Sequence, residues 1–320
     1  MKPSTVGVLL ATALTATACS KSSPSADVST PSGANAMQAI VASTDLYANA
    51  PQRVLVGLPF SNGALVSYGT VSFAFSYTGT AASSSAPQPG PKATANYVPT
   101  PGTPDGGGSR PSVTQPAEAR GLYEATGVTF NEAGFWQVKV VADVEGAGTQ
   151  TAQATFSVQQ QPSLPAPGQP ALKTENLTLA SKSVPKAAID SRYTTDGTIP
   201  DPELHQWTIA KAIEQHRPAL VVFGTPVYCV SRFCGPITDL VDGLSKRYGD
   251  RAVFIHIEIY RDFQNNVINR AAADWLYRNG DLTEPWVYLI GADGVILDRW
   301  SSLASEQEIA AELQQLPITG

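Results

Sequence analysis

Pro218-Ala219-Leu220-Val221-Val222-Phe223-Gly224-Thr225-Pro226-Val227-Tyr228-Cys229-Val230-Ser231-Arg232-Phe233-Cys234-Gly235-Pro236 is the stretch on which the reading of this chain turns. Ala219 to Phe223 is a continuous apolar run, the pattern of a strand buried on both faces. After it, Ile237, Leu240, Val241, Leu244 and Tyr248 recur at helical spacing, Lys246 and Arg247 fall in the last turn, and Gly249 ends the segment. Between strand and helix stand two cysteines with four residues between them. On a regular helix, Cα atoms five positions apart are about 8.6 Å from one another, whereas a disulfide needs about 7 Å or less. A bonded pair therefore requires either that Cys229 precede the helix or that the first turn be distorted.

Outward from this stretch, the pattern alternates between helix and strand. Glu203 to Gln215 is predicted helical, Ala252 to Tyr260 a strand, and Val267 to Arg278 a helix. Trp286 to Ile290 and Val295 to Trp300 form a predicted hairpin around Ala292-Asp293-Gly294. A closing helix over Ser305 to Gln315 has Ser305 as its cap and Glu308 at the capping-box position.

The order of these elements, with the two-cysteine loop between strand and helix and a hairpin led by Pro285, resembles a thioredoxin domain over residues 203–320. The resemblance implies an α/β thioredoxin-like fold, with Cys229 as the attacking cysteine, Cys234 as the resolving one, and Pro285 as the family's cis-proline. Glu284, Pro285 and Trp286 would then border the substrate. The chain departs from the family in three ways. Four residues rather than two separate the cysteines. Phe233-Cys234-Gly235-Pro236 also matches the family's aromatic-Cys-Gly-Pro pattern and would place Cys234 first. The family's buried carboxylate falls on Val222, which cannot carry a proton, while Glu284 would sit near the sulfurs and disfavour a thiolate.

Residues 45–160 read differently. Arg53 to Leu58, Thr70 to Tyr77, Val128 to Phe130, Trp136 to Val141 and Ala152 to Val158 are short runs of strand formers. In the second of these, Val71, Phe73, Phe75 and Tyr77 point one way. Such strands without helical period predict an antiparallel sandwich resembling immunoglobulin-like modules. Residues 79–120, rich in Pro, Gly, Ser and Thr, read as a disordered loop inserted in it. Residues 161–202 read as a Pro-rich linker and an irregular segment. The predicted fold class is thus multidomain, an all-β immunoglobulin-like sandwich followed by an α/β thioredoxin-like domain.

The N-terminus reads as an address. Met1-Lys2, an apolar run from Val6 to Leu14 and Ala16-Thr17-Ala18-Cys19 follow the pattern of a secretory signal. Cys19 after small residues resembles the lipobox of bacterial lipoproteins, which implies lipidation at Cys19. Residues 20–44 read as a flexible tether. The expected location is the extracytoplasmic face of a cell membrane, held by the lipid anchor. Removing Cys19 from the three cysteines leaves Cys229 and Cys234 as a pair in a compartment that permits disulfides.

Composition narrows the function classes. With 21 Lys+Arg against 27 Asp+Glu and a net charge of −6, the chain has no basic stretch for nucleic acid. Gly106 to Gly108 lacks the following Lys-Ser/Thr of a phosphate loop. His205, His216 and His256 are scattered. His256 and Glu258 share one face of a strand and, with the two cysteines, imitate a soft-metal site. The leading expectation is thiol–disulfide exchange with exported proteins that carry thiols or disulfides, without a cofactor or a resident metal. The alternatives are a disulfide that only staples its loop in a binding or structural lipoprotein, and a copper-binding thioredoxin relative.

Overall fold

The computed structural model describes residues 36–103, 108–118 and 120–318. The predicted signal segment 1–19 with Cys19, and most of the predicted tether 20–44, lie outside the described residues.

The first half is built from β1 (Ile40–Val41), β2 (Pro51–Gly57), β3 (Leu65–Ser67), β4 (Thr70–Gly79), β5 (Ser84–Pro99), β6 (Ser112–Thr114), β7 (Gly121–Thr129), β8 (Gly134–Val144) and β9 (Gly148–Val158). Seven of these form one antiparallel sheet in the order β1-β2-β7-β5-β4-β8-β9, while β3 pairs with β6. The sheet coils until its ends nearly meet. The Gln159 N–H donates to the Leu46 carbonyl (2.8 Å) and the Ala48 N–H to the Gln159 carbonyl (2.9 Å), so the chain beside β1 closes against the end of β9. Strand alternation sends Val71, Phe73 and Phe75 inward to join Val54, Val56, Phe130, Trp136 and Val138 in one core.

The predicted disordered loop 79–120 is largely the long strand β5. Three of its four prolines, which argued against a strand, occupy a stretch where β5 has β4 as its neighbour but not β7. Pro87, Pro89 and Pro91 therefore remove few ladder bonds. Gly90 lets Trp136 cross this strand, since a Cβ there would stand 2.5 Å from the indole ring.

The second half carries α1 (Ile209–Glu214), β10 (Ala219–Phe223), α2 (Cys234–Tyr248), β11 (Val253–Ile257), β12 (Tyr260–Asp262), β13 (Val267–Ile268), α3 (Arg270–Leu276), β14 (Tyr277–Arg278), β15 (Asp281–Leu282), β16 (Trp286–Ile290), β17 (Ile296–Ser301) and α4 (Glu306–Gln315). A four-stranded sheet runs β11-β10-β16-β17, with β10 parallel to β11 and the other pairs antiparallel. Leu220 and Val222 pack on one face with Ile237, Val241 and Leu244 of α2. Val221 and Phe223 pack on the other with Ala272 and Trp275 of α3. No helix among the described residues is long and apolar enough to cross a membrane.

These features correct the predicted fold class. The described residues are 40% strand against 16% helix, with four α-helices and a nearly closed seven-stranded sheet, which does not fit an immunoglobulin-like sandwich joined to an α/β thioredoxin-like domain. The first half is one coiled sheet rather than two facing ones. In the second half, the helical periodicity overstated the helices. Pro202 starts a separate 3-10 turn over Pro202–His205, and α1 begins only after its cap, Thr208. Of the predicted helix 267–278, Val267 and Ile268 pair with Asp262 and Tyr260, and Tyr277 and Arg278 pair with Leu282 and Asp281. Seven residues remain as α3, capped by Asn269.

The two halves share an interior. Leu55 of β2, Val98 of β5 and Leu122 of β7 turn outward from the coiled sheet into the apolar cluster with α2 and α4. Arg53 donates to both carboxylate oxygens of Asp298 (2.9 and 2.6 Å) and lies over Trp300. Arg299 donates to Asp45 Oδ2 (2.8 Å) and to the Pro165 carbonyl (2.9 Å). The Pro-rich segment is docked along the β16–β17 hairpin, where the Ala171 N–H donates to the Gly294 carbonyl (2.8 Å) and the Gly168 N–H to the Ile296 carbonyl (2.9 Å).

Candidate functional site

Cys229 and Cys234 are joined by a disulfide with Cα atoms 6.0 Å apart. Cys234 is the first residue of α2, and Cys229 lies in the loop before it, so the bond avoids the separation a regular helix would impose. Arg232, at φ 64°, turns the chain between them. The two sulfurs have different surroundings. Cys234 is fully buried, while Cys229 is half-buried near the exposed side chains of Val227 and Val230. The Cys234 N–H, at the open end of α2, donates to Cys229 Sγ (3.4 Å), and the Ser231 hydroxyl lies 3.2 Å from the same sulfur. Negative charge on Cys229 would thus meet an N–H donor and the positive end of the helix dipole.

Gly224, just after β10, allows the loop to lie against α2. A Cβ added there would be 3.3 Å from Cys234 Cβ and 3.6 Å from Pro285 Cβ. Pro285 is therefore beside the disulfide, buried, and its peptide bond with Glu284 is cis. The Glu284 carboxylate lies within 4.8 Å of both sulfurs. It accepts the Thr225 N–H (2.9 Å), and burial pushes its carboxyl up to about 7. Trp286 is placed otherwise: it is 2% exposed, its indole N–H donates to Thr283 Oγ1 (3.1 Å), and it packs in the core beside Tyr288. It gives a substrate no surface. Val222 is wholly buried among apolar neighbours, and Glu284 is the carboxylate that stands at the sulfurs in its stead.

Behind the disulfide loop lies a polar cluster. The side chains of Asp190, His205 and His256 are all fully buried. His205 Nε2 and His256 Nδ1 lie 3.3 and 3.4 Å from the same atom, Asp190 Oδ2. His256 Nε2 lies 3.0 Å from the Gly224 carbonyl and must donate its proton there. Glu258, 1% exposed, accepts N–H groups from Ser191 and Ile259 (both 2.9 Å), and burial pushes its carboxyl up. His256 and Glu258 thus turn to this buried cluster rather than to the cysteines, whose third neighbour is Glu284. Asp190 and His205 carry no sequence pattern that places them together. They come from an irregular segment and a 3-10 turn, and only the folded chain brings them to β11.

Comparison of the chain with protein-family models, with curated proteins and with solved structures finds no match in any of the three.

Proposed function

We propose that this protein carries out thiol–disulfide exchange through the Cys229–Cys234 bond. One observation carries the reading: a half-buried sulfur, Cys229, is paired with a fully buried one, Cys234, whose backbone N–H points back at it. In the oxidising direction a substrate thiolate attacks Cys229 Sγ. The Cys229–Cys234 bond breaks, and the electron pair leaves on Cys234, which takes a proton from the Glu284 carboxylic acid. A second substrate thiolate then attacks the substrate sulfur of the mixed disulfide, and Cys229 leaves as a thiolate. The substrate loses two electrons and gains a disulfide, and the cysteine pair becomes a dithiol. The reverse sequence reduces a substrate disulfide.

The proposed partners are exported proteins bearing thiols or disulfides, and the proposed location is a lipid anchor at Cys19 on the extracytoplasmic face of a membrane. The leader pattern from Met1 to Cys19 supports that placement. A second reading, a bond that only staples the loop to α2, is favoured by the full burial of Cys234. The reduction potential separates the two. Equilibration with thiol buffers is expected to give a value above about −300 mV, whereas a lower one marks an inert staple.

A further inference from the structure

We infer that Asp190, His205 and His256 form a buried binding site for a divalent transition-metal ion of the zinc class. The ligand atoms are one carboxylate oxygen and two imidazole nitrogens, all within 4.8 Å of one another. This mixed N/O set suits zinc, cobalt or nickel rather than calcium or magnesium.

The distances fit a metal better than protons alone. Charge-assisted N–H···O bonds close to about 2.7–2.9 Å, but His205 Nε2 and His256 Nδ1 stand 3.3 and 3.4 Å from Asp190 Oδ2. A tetrahedral ion with ligand bonds of about 2.0–2.1 Å separates its ligand atoms by about 3.3–3.4 Å. His256 is also prepared as a ligand. Its Nε2 proton is committed to the Gly224 carbonyl, so the ring, when neutral, has its lone pair at Nδ1. That backbone contact is the usual outer partner of a metal-bound imidazole. Nδ1 is fully buried and makes no hydrogen bond. Without a bound cation, or a proton held between it and Asp190, its lone pair faces a carboxylate.

Charge balance points the same way. Arg192 is the cation at this cluster, and it pairs with Asp190, Asp201 and Asp239 together. Asp239 is 70% exposed and its charge is solvated, so the buried Asp190 and Asp201 on one guanidinium leave one negative charge facing the site. Arg192 approaches Asp190 on both oxygens and so holds the carboxylate in place. Three protein ligands leave a fourth place for a water or another small ligand. An ion here would bind the irregular segment around Asp190 and the turn at His205 to β11. Through His256 and Gly224, it would also fix the root of the cysteine loop.

The test uses the full chain with Cys19→Ser, Cys229→Ser and Cys234→Ser, so that no thiol competes for metal. Because the site is buried, the protein is refolded in the presence of Co2+ or Zn2+. One equivalent of cobalt is expected after desalting, with visible d–d bands of low-coordinate geometry. His205→Gln and His256→Gln should each weaken binding by about 100-fold or more, while the exposed His216→Gln leaves it unchanged. Should the buried variants fail to fold, the parent chain still decides, because it has three histidines. On zinc addition, the imidazole 15N resonances of His205 and His256 should shift and that of His216 should not. No retained metal, or metal that moves His216 alone, would overturn the assignment and leave a purely ionic cluster.

Discussion

The backbone N–H of Cys234 points at the sulfur of Cys229, 3.4 Å away, so the buried partner of the disulfide solvates the accessible one. After reduction this contact, together with the N-terminal end of α2, favours a thiolate on Cys229. Iodoacetamide should therefore alkylate Cys229, the more accessible sulfur, in the reduced native protein. Cys234 should react only after unfolding. Peptide mapping of the alkylated protein checks this.

Glu284 sets the expected pH dependence. Burial pushes its carboxyl up to about 7, so it is protonated below that pH and can donate to the departing Cys234. Above it, the carboxylate places negative charge beside both sulfurs. The rate of disulfide reduction per attacking thiolate should thus fall as pH rises through about 7. Glu284→Gln should remove this inflection and slow the reaction at pH 6 by about 100-fold, the lower end of general-acid effects. Stopped-flow reduction by a small dithiol across pH 5–9 measures both.

Stability should also respond to pH at the contact between the two halves. Glu124 of β7 faces Glu308 of α4 across Arg53, and burial first, then the charge of Glu308, pushes the Glu124 carboxyl up to about 8. The folded protein therefore binds more protons here than the unfolded chain. The resulting stabilisation is complete below the ordinary carboxyl value of about 4.5 and is lost as pH rises through about 8. Urea midpoints should decline over this range, and Glu124→Gln should flatten the decline.

Among the described residues, Asp45–Arg299 is the most buried ion pair between the halves, with side chains 4% and 8% exposed. Asp45 also accepts from the Ser163 N–H and hydroxyl, at 2.7 and 2.5 Å. Asp45→Ala leaves the guanidinium buried without its carboxylate and is expected to cost about 3–5 kcal/mol. Asp143→Ala, which breaks the exposed pair with Arg110, should cost about 1 kcal/mol or less. Chemical denaturation of both variants provides the comparison.

The sequence makes local patterns legible more readily than their assembly. The run Ala219–Phe223 and the spacing Ile237–Tyr248 mark β10 and α2, because burial on both faces of a strand and on one face of a helix leaves a periodic record. Ring closure leaves no such record. Whether β4 belongs to a sandwich or a coiled sheet depends on its partners, and its inward Val71, Phe73 and Phe75 would read alike in either. The prolines of β5 suggested a loop because pairing on one side alone cannot be seen in composition. At the site, Cys229, Cys234 and Glu284 are close in space; the cysteines were legible from chemistry, and Glu284 only from its place before Pro285 in the resemblance. Asp190 and His205 were not, since a carboxylate in an irregular segment and a histidine in a 3-10 turn have no spacing that ties them to His256.

Trapping tests exchange chemistry at Cys229 most directly. In Cys234→Ser, Cys229 can still attack a substrate disulfide, but nothing resolves the product, so mixed disulfides with exported proteins should accumulate on a non-reducing gel. In Cys229→Ser the remaining sulfur is buried, and none should form. Adducts in the first variant and not the second are the predicted result, and their absence from both would contradict it.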